Sequence, residues 1–188
     1  MSFPAKQIST DKSLKELPFH SNQAGDVQRI IDWLKSAPAE QRNPKTFQAL
    51  FIGPAGSGKK STAIHIAQET NCDIFKIDTS ELLTKYIGET EKNLEILFAR
   101  AEEKNWILYF DEADSLFGKK GNSANGNGNG SDEKHSSVEI NSLLRSIRFY
   151  PGLVILTTKK KKKIDPSYLQ SFNAIVDFCD SEKEPADH

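Results

Sequence analysis

Cysteine is scarce in this sequence, with two residues among 188, and neither lies at metal-ligand spacing. That excludes a disulfide scaffold and a thiolate zinc site. Cys72 and Cys179 lie in or beside apolar runs and read as packed thiols of a reduced, intracellular chain. Long apolar runs are also missing, since none reaches the roughly 18 residues of a spanning helix. The opening MSFPAKQIST lacks the apolar stretch of a signal peptide. Neither sign of charge dominates: 25 Lys plus Arg against 26 Asp plus Glu leave a formal net charge of −1. Global attraction to nucleic acid or to an anionic membrane is therefore not expected. What remains is a chain of a size for one α/β domain with its own core, expected in the cytoplasm.

The pattern within the chain is an alternation of strands and helices. Val27, Ile30, Ile31 and Leu34 fall at i, i+3, i+4 and i+7, predicting a helix from about Asp26 to Ala37, with Pro38 as punctuation. A strand over Phe47–Ile52 runs into GPAGSGKK, and a helix from about Gly58 is expected to bury Ala63, Ile64 and Ala67. Further strands are expected at Asp73–Asp78, Trp106–Phe110, Leu153–Thr158 and Ala174–Phe178. Helices are expected from about Glu89 to Lys104, with Leu94, Leu97, Phe98 and Ala101 on one face, and from about Val138 to Ile147. Short apolar strands separated by helices predict a parallel sheet covered on both faces.

Three stretches stand outside that pattern. Residues 1–24 are polar and read as an N-terminal arm, and residues 181–188 as a tail, leaving 25–180 as the folded unit. Residues 121–137, GNSANGNGNGSDEKHSS, have almost no apolar content. They read as a surface loop, either a tolerated insertion or a segment that contacts a substrate.

The first chemical signal is the glycine-rich segment. Gly53 to Lys59 fits the first seven positions of G-x-x-x-x-G-K-[ST], after a strand and opening a helix. Gly53, Gly56 and Gly58 let the backbone turn tightly around an anion, with Pro54, Ala55 and Ser57 filling the loop. The helix that follows adds the positive end of its dipole. Lys59 is placed to reach the β- and γ-phosphates of a nucleotide. The eighth position departs from the motif: it is Lys60, where a hydroxyl would ligate Mg²⁺. Ser61 follows, but one residue turns a side chain about 100° around the helix, making it a poor substitute.

The second signal is WILYFDEADSLF, in which Asp111 and Glu112 follow a buried strand. This is the Walker B arrangement, with an Asp near the metal and a Glu polarising the attacking water.

Together these motifs, TSELLTKYIGETEKNLEILFARA between them, and DEADSLFGKK and YPGLVILTTKKKKKIDPSYLQSFNAIVDF, resemble the AAA+ ATPases over roughly residues 14–178. Within that family the chain is most similar to bacterial members encoded with phage-tail-like contractile injection systems. The resemblance implies a P-loop NTPase three-layer sandwich with a five-stranded parallel sheet in the order 5-1-4-3-2. It also implies ATP as the ligand and a tendency toward hexameric rings. Tyr86, Ile87 and Gly88 match the family's central-pore loop, although Tyr86 packing on the surface of a lone subunit fits equally well.

The departures from the family are equally specific. Lys159 stands where the family has the sensor 1 Asn, and Leu169-Gln170-Ser171-Phe172 stands where it has Leu-Arg-Arg-Phe, whose arginines act on a neighbour's ATP. The sequence ends at His188, before the family's helical lid and its sensor 2 residue. The site residues implied are Gly53 to Ser61 and Lys159 for ATP, Asp111 for metal and Glu112 for catalysis. Lys60 either supplies charge in place of Mg²⁺, pairing with Asp111 or a phosphate, or turns outward. The run Lys159–Lys163 reads as a solvated loop rather than a nucleic-acid patch. The resulting expectation is a nucleotide-binding pseudo-ATPase that serves as a subunit or adaptor among protein partners, such as other AAA+ subunits or an injection-system or chaperone-like assembly. The alternatives are an active remodelling ATPase that borrows a partner's arginines and an interaction module without nucleotide.

Overall fold

Both faces of one sheet bury the apolar stripes laid out along the sequence. The computed structural model describes residues 5–11, 19–36, 45–78, 90–116, 132–159 and 166–179, together with residues 38, 41 and 164. Among these, the strands are β1 (Ala5–Ile8), β2 (Phe47–Ile52), β3 (Ile74–Asp78), β4 (Ile107–Asp111), β5 (Leu153–Thr158) and β6 (Ala174–Asp177). The helices are α1 (Ser21–Ser36), α2 (Lys59–Thr70), α3 (Thr90–Lys104), α4 (Asp132–Phe149) and the single turn α5 (Pro166–Leu169).

The sheet order is β1-β3-β4-β5-β2-β6, and the pairings from β3 to β6 are all parallel. One face buries Val27, Ile30, Ile31 and Leu34 of α1 and Ala63, Ile66 and Ala67 of α2. The other buries Leu94, Leu97, Phe98 and Ala101 of α3 and Leu143 and Ile147 of α4. These are the three layers of a P-loop α/β sandwich. A sheet covered on both sides explains why β5 reads LVILTT, buried at every position, rather than as an alternation. No helix among the described residues is long and apolar enough to cross a membrane.

The sheet has six strands rather than the five expected. β1 pairs antiparallel with β3, from Ala5 opposite Ile77 to Ile8 opposite Ile74, and covers what would otherwise be an open edge. Its sequence, AKQI, carries too little apolar patterning to announce a strand, so its order comes from pairing. Two side-chain bonds tie this segment down: Gln7 Nε2 donates to Asp73 Oδ1 at 3.1 Å, and Gln68 Nε2 donates to the Thr10 carbonyl at 2.6 Å.

Helix limits differ where polar groups, not apolar period, set them. α1 starts at Ser21 rather than near Asp26, because buried Gln23 accepts from the His20 amide and donates to the Asp177 carbonyl of β6. In α2 it is Ile66 that is buried with Ala63 and Ala67, while Ile64 is half-buried. α4 begins at Asp132, inside the polar stretch read as a loop. Cys72 is half-buried, and Cys179 is exposed rather than packed. Tyr86, Ile87 and Gly88, and residues 117–131 and 160–163, lie outside the described residues.

α2 and α3 end by the same device. Asn71 and Asn105 adopt left-handed φ values of 51° and 52°, a conformation that Asn tolerates better than most residues. The next amides, of Cys72 and Trp106, then bond back to Ala67 and Ala101, each at 3.0 Å. Each chain reversal delivers a strand to the sheet. The second is locked by Tyr150, whose buried hydroxyl lies 3.1 Å from the Ala101 carbonyl and 2.5 Å from that of Trp106. Tyr150→Phe leaves those buried carbonyls without that donor and is expected to cost about 1–3 kcal/mol. Chemical denaturation checks this, and an unchanged midpoint contradicts it.

Candidate functional site

The ends of β2, β4 and β5 and the start of α2 converge on one cleft. β2 delivers Gly53, whose amide donates to the Thr158 carbonyl of β5 at 3.0 Å. A Cβ at Gly53 would come within 2.7 Å of the Phe178 Cβ and 2.8 Å of the Ser57 Oγ, so only glycine permits this close approach. Pro54 and Ala55 carry the chain outward, and the Ser57 amide turns back toward the Pro54 carbonyl at 3.4 Å. Gly56 and Gly58 take φ values of 80° and 98°, and Gly58 is the residue from which α2 starts.

Lys59 is the one buried lysine among the described residues, folded back into the loop. Its ammonium donates to the carbonyls of Gly53 and Pro54 and lies 3.4 Å from the Ser57 Oγ. Burial lowers its pKa, partly opposed by the Asp111 carboxylate. Lys60 is exposed and Ser61 half-buried, and both line the cleft.

The opposite wall is built by strand register. Asp111 stands beside Asp78 of β3, while Tyr109 stands beside Lys76 on one side and Ile155 on the other. With a period of two, Lys76, Tyr109, Asp111 and Thr157 share the sheet face that α2 covers. Lys76 Nζ meets Asp111 Oδ2 at 2.8 Å, and Thr157 donates to Asp111 Oδ1 at 3.2 Å. Burial alone would raise the Asp111 carboxyl, but the Lys76 ammonium, then Thr157 and Lys59, hold it below the ordinary carboxylate value. Burial pushes the neighbouring Tyr109 hydroxyl upward, keeping it protonated.

Glu112 turns out of the sheet with a left-handed φ of 52°, a conformation that costs a non-glycine residue about 1–3 kcal/mol. Its amide donates to Thr157 Oγ1 at 3.0 Å, so a single hydroxyl fixes both members of the acidic pair. Lys159 Nζ sits 2.8 Å from Glu112 Oε1, and that hydrogen bond raises the lysine's pKa. Thr158 donates to Asp114 at 2.6 Å, tying the 3₁₀ turn Ala113–Leu116 to β5.

The cleft holds about 250 Å³, lined by residues 55–61 on one side and by Tyr109, Asp111, Glu112, Thr157, Thr158 and Lys159 on the other. At Gly56 nothing lies within 4 Å of where a Cβ would stand, so the loop leaves room beside its backbone. A concave glycine loop, a helix start and three lysines suit a polyphosphate. Of the expected residues, Ala55 to Ser61, Asp111, Glu112 and Lys159 line this cleft and Gly53 and Pro54 do not, while Tyr86, Ile87 and Gly88 lie outside the described residues. Lys76 and Thr157 were not singled out in the sequence. Lys76 stands in the middle of β3, and the sequence DIFKID does not say that the strand bearing Asp111 lies beside it. Asp111 is paired with Lys76, not with Lys60 as one reading of the sequence allowed.

Residues 49–179 match the family described as "ATPase family associated with various cellular activities (AAA)". Among curated proteins, the chain is 29% identical over 186 residues to "Peroxisomal ATPase PEX1" of Dictyostelium discoideum, covering 88% of this chain and 14% of that one. It is 30% identical over 167 residues to "26S proteasome regulatory subunit 8 homolog" of Schizosaccharomyces pombe, covering 88% and 38%. The chain thus spans well under two thirds of the length of these relatives. Among solved structures, the FIGL-1 AAA domain superposes with a TM-score of 0.70 at 19% identity, covering 95% of this chain and 58% of that one. At that identity the likeness is one of fold. The family match begins in the strand that leads into the glycine loop and ends just past the last strand of the sheet, and the chain belongs to this AAA family.

Proposed function

We propose that this chain is an ATP-binding AAA+ domain that hydrolyses ATP weakly or not at all and serves as a subunit or adaptor in a larger protein assembly. In this reading the large ATP-binding subdomain expected over residues 25–180 extends back to take in β1 and the first turn of α1, with 181–188 as a tail. Gly53 to Ser61 and Lys159 face the phosphates, Asp111 occupies the family's metal-side position, and Glu112 its water-polarising position. The observation that carries the reading is the ion pair between Lys159 and Glu112 at 2.8 Å. A carboxylate engaged by an ammonium is a weaker base toward water, and Lys159 stands where the family places a neutral Asn.

The positions matching the family's trans-acting arginines support the same conclusion. Gln170 and Ser171 are exposed at the turn after α5, and the Ser171 hydroxyl is turned back to the Tyr168 carbonyl at 2.7 Å. Neither brings positive charge to a neighbour. An arginine in that role is worth roughly 10³–10⁵ in turnover, and three decades correspond to about 4 kcal/mol of transition-state stabilisation.

A second reading is an active remodelling ATPase completed by a partner's arginines, favoured by the retained Asp111 and Glu112. The relatives' names, a peroxisomal ATPase and a proteasome regulatory subunit, support work among other protein subunits. A place beside contractile injection systems, a cytoplasmic location and a pore-lining role for Tyr86, Ile87 and Gly88 rest on the sequence resemblance.

Steady-state phosphate release at several protein concentrations tests the proposal. The wild type is expected to turn over well below about 1 s⁻¹, and a rate at or above that, ordinary for an enzyme, sinks the pseudo-ATPase reading. Combining Lys60→Thr and Lys159→Asn is expected to leave turnover low, because the developing charge still lacks the arginines. Adding Gln170→Arg and Ser171→Arg is expected to raise turnover only at concentrations where the chain self-associates. Because Gln170 and Ser171 bring no arginine to a neighbour's nucleotide, self-association is expected to be weak: sedimentation of the wild type with ATP should show no stable homohexamer, and a stable hexamer would contradict this.

A further inference from the structure

Magnesium requires a near-octahedral shell of oxygens and is held by carboxylates together with phosphate oxygens. The residues of this cleft do not fit it. The position after Lys59, which would supply a hydroxyl, is Lys60. Asp111 has both oxygens engaged, one by the Lys76 ammonium at 2.8 Å and the other by the Thr157 hydroxyl at 3.2 Å. Glu112 is engaged by Lys159. Among the described residues no group of three or more His, Cys, Asp or Glu is placed to hold a metal ion.

We propose that the cleft takes a nucleoside triphosphate as the metal-free anion, with lysine ammonium groups standing in for the divalent cation. This rests on reading the cleft as a nucleotide site. Lys59, Lys60 and Lys159 line the space, and Lys76 neutralises Asp111 behind it. Lys59, Lys76 and Lys159 come from α2, from β3 and from the residue after β5, yet all three act on a single pair of adjacent carboxylates, Asp111 and Glu112.

The two ion pairs have different parts. Lys76 and Asp111 have side chains 38% and 32% exposed, and the second Asp111 oxygen is tied to Thr157, so this pair is held in place. Lys159 and Glu112 are 49% and 64% exposed with one bond between them, and an ammonium has three N–H donors, so Lys159 reaches a phosphate oxygen while it keeps Glu112. An unpaired Asp111 carboxylate would repel a free triphosphate, and Lys76 cancels that repulsion. A magnesium–nucleotide complex entering the same space meets ammonium groups where it needs oxygens.

Titration of the full chain with ATP by calorimetry, once in a chelator and once in millimolar Mg²⁺, tests this. Affinity in chelator is expected to equal or exceed that in Mg²⁺, whereas the variant carrying Lys60→Thr and Lys76→Met is expected to bind about tenfold more tightly with Mg²⁺ than without. A circular dichroism melt confirms that the variant is folded. If the wild type itself binds about tenfold more tightly with Mg²⁺, the metal-free proposal is overturned while the nucleotide site stands. If ATP binds in neither condition, the nucleotide reading falls and takes this proposal with it.

Discussion

An ammonium 2.8 Å from each of two neighbouring carboxylates governs what this cleft can do. Asp111 and Glu112 are the residues through which a domain of this kind would meet a metal ion and a water. Both are present in the sequence, yet each already has a cationic partner. Side chains this exposed gain little stability from such pairs, because solvent screens them. Their weight lies in electrostatics: they remove negative charge from the cavity proposed to receive the nucleotide's phosphates.

The fold makes these pairings possible through register. Parallel pairing sets Asp78, Asp111 and Thr157 in a row across three strands, with Lys76 and Tyr109 one step earlier on the same face. Thr157 then joins the acidic pair by accepting from the Glu112 amide and donating to the Asp111 carboxylate. The glycine loop closes the cleft from the other side, and its close approach to Phe178 couples it to the last strand. A shift of one residue between β4 and β5 would move Thr157 to the opposite face and separate these groups.

The parallel core and the glycine loop were legible in the sequence because apolar period and glycine spacing are local signals. Leu94, Leu97, Phe98 and Ala101 had to share a helix face, and they do. The α1 start and β1 were not legible, because Gln23 reaching β6 and Ala5–Ile8 pairing with β3 are long-range polar contacts. The same reason hid Lys76. A lysine in a strand carries no local mark of the carboxylate it will meet 35 residues later. Lys60 and Lys159 were visible as departures from a motif, but their partners depended on which strands lie side by side.

A crystal structure of the chain with ATP at millimolar Mg²⁺ tests the central claim most directly, because it shows which cation Asp111 keeps. The account predicts phosphates against Lys59 and Lys159, with the Lys76 ammonium still on Asp111 and no metal between that carboxylate and the nucleotide. A magnesium ion bridging Asp111 and the phosphates, with Lys76 displaced, would contradict it.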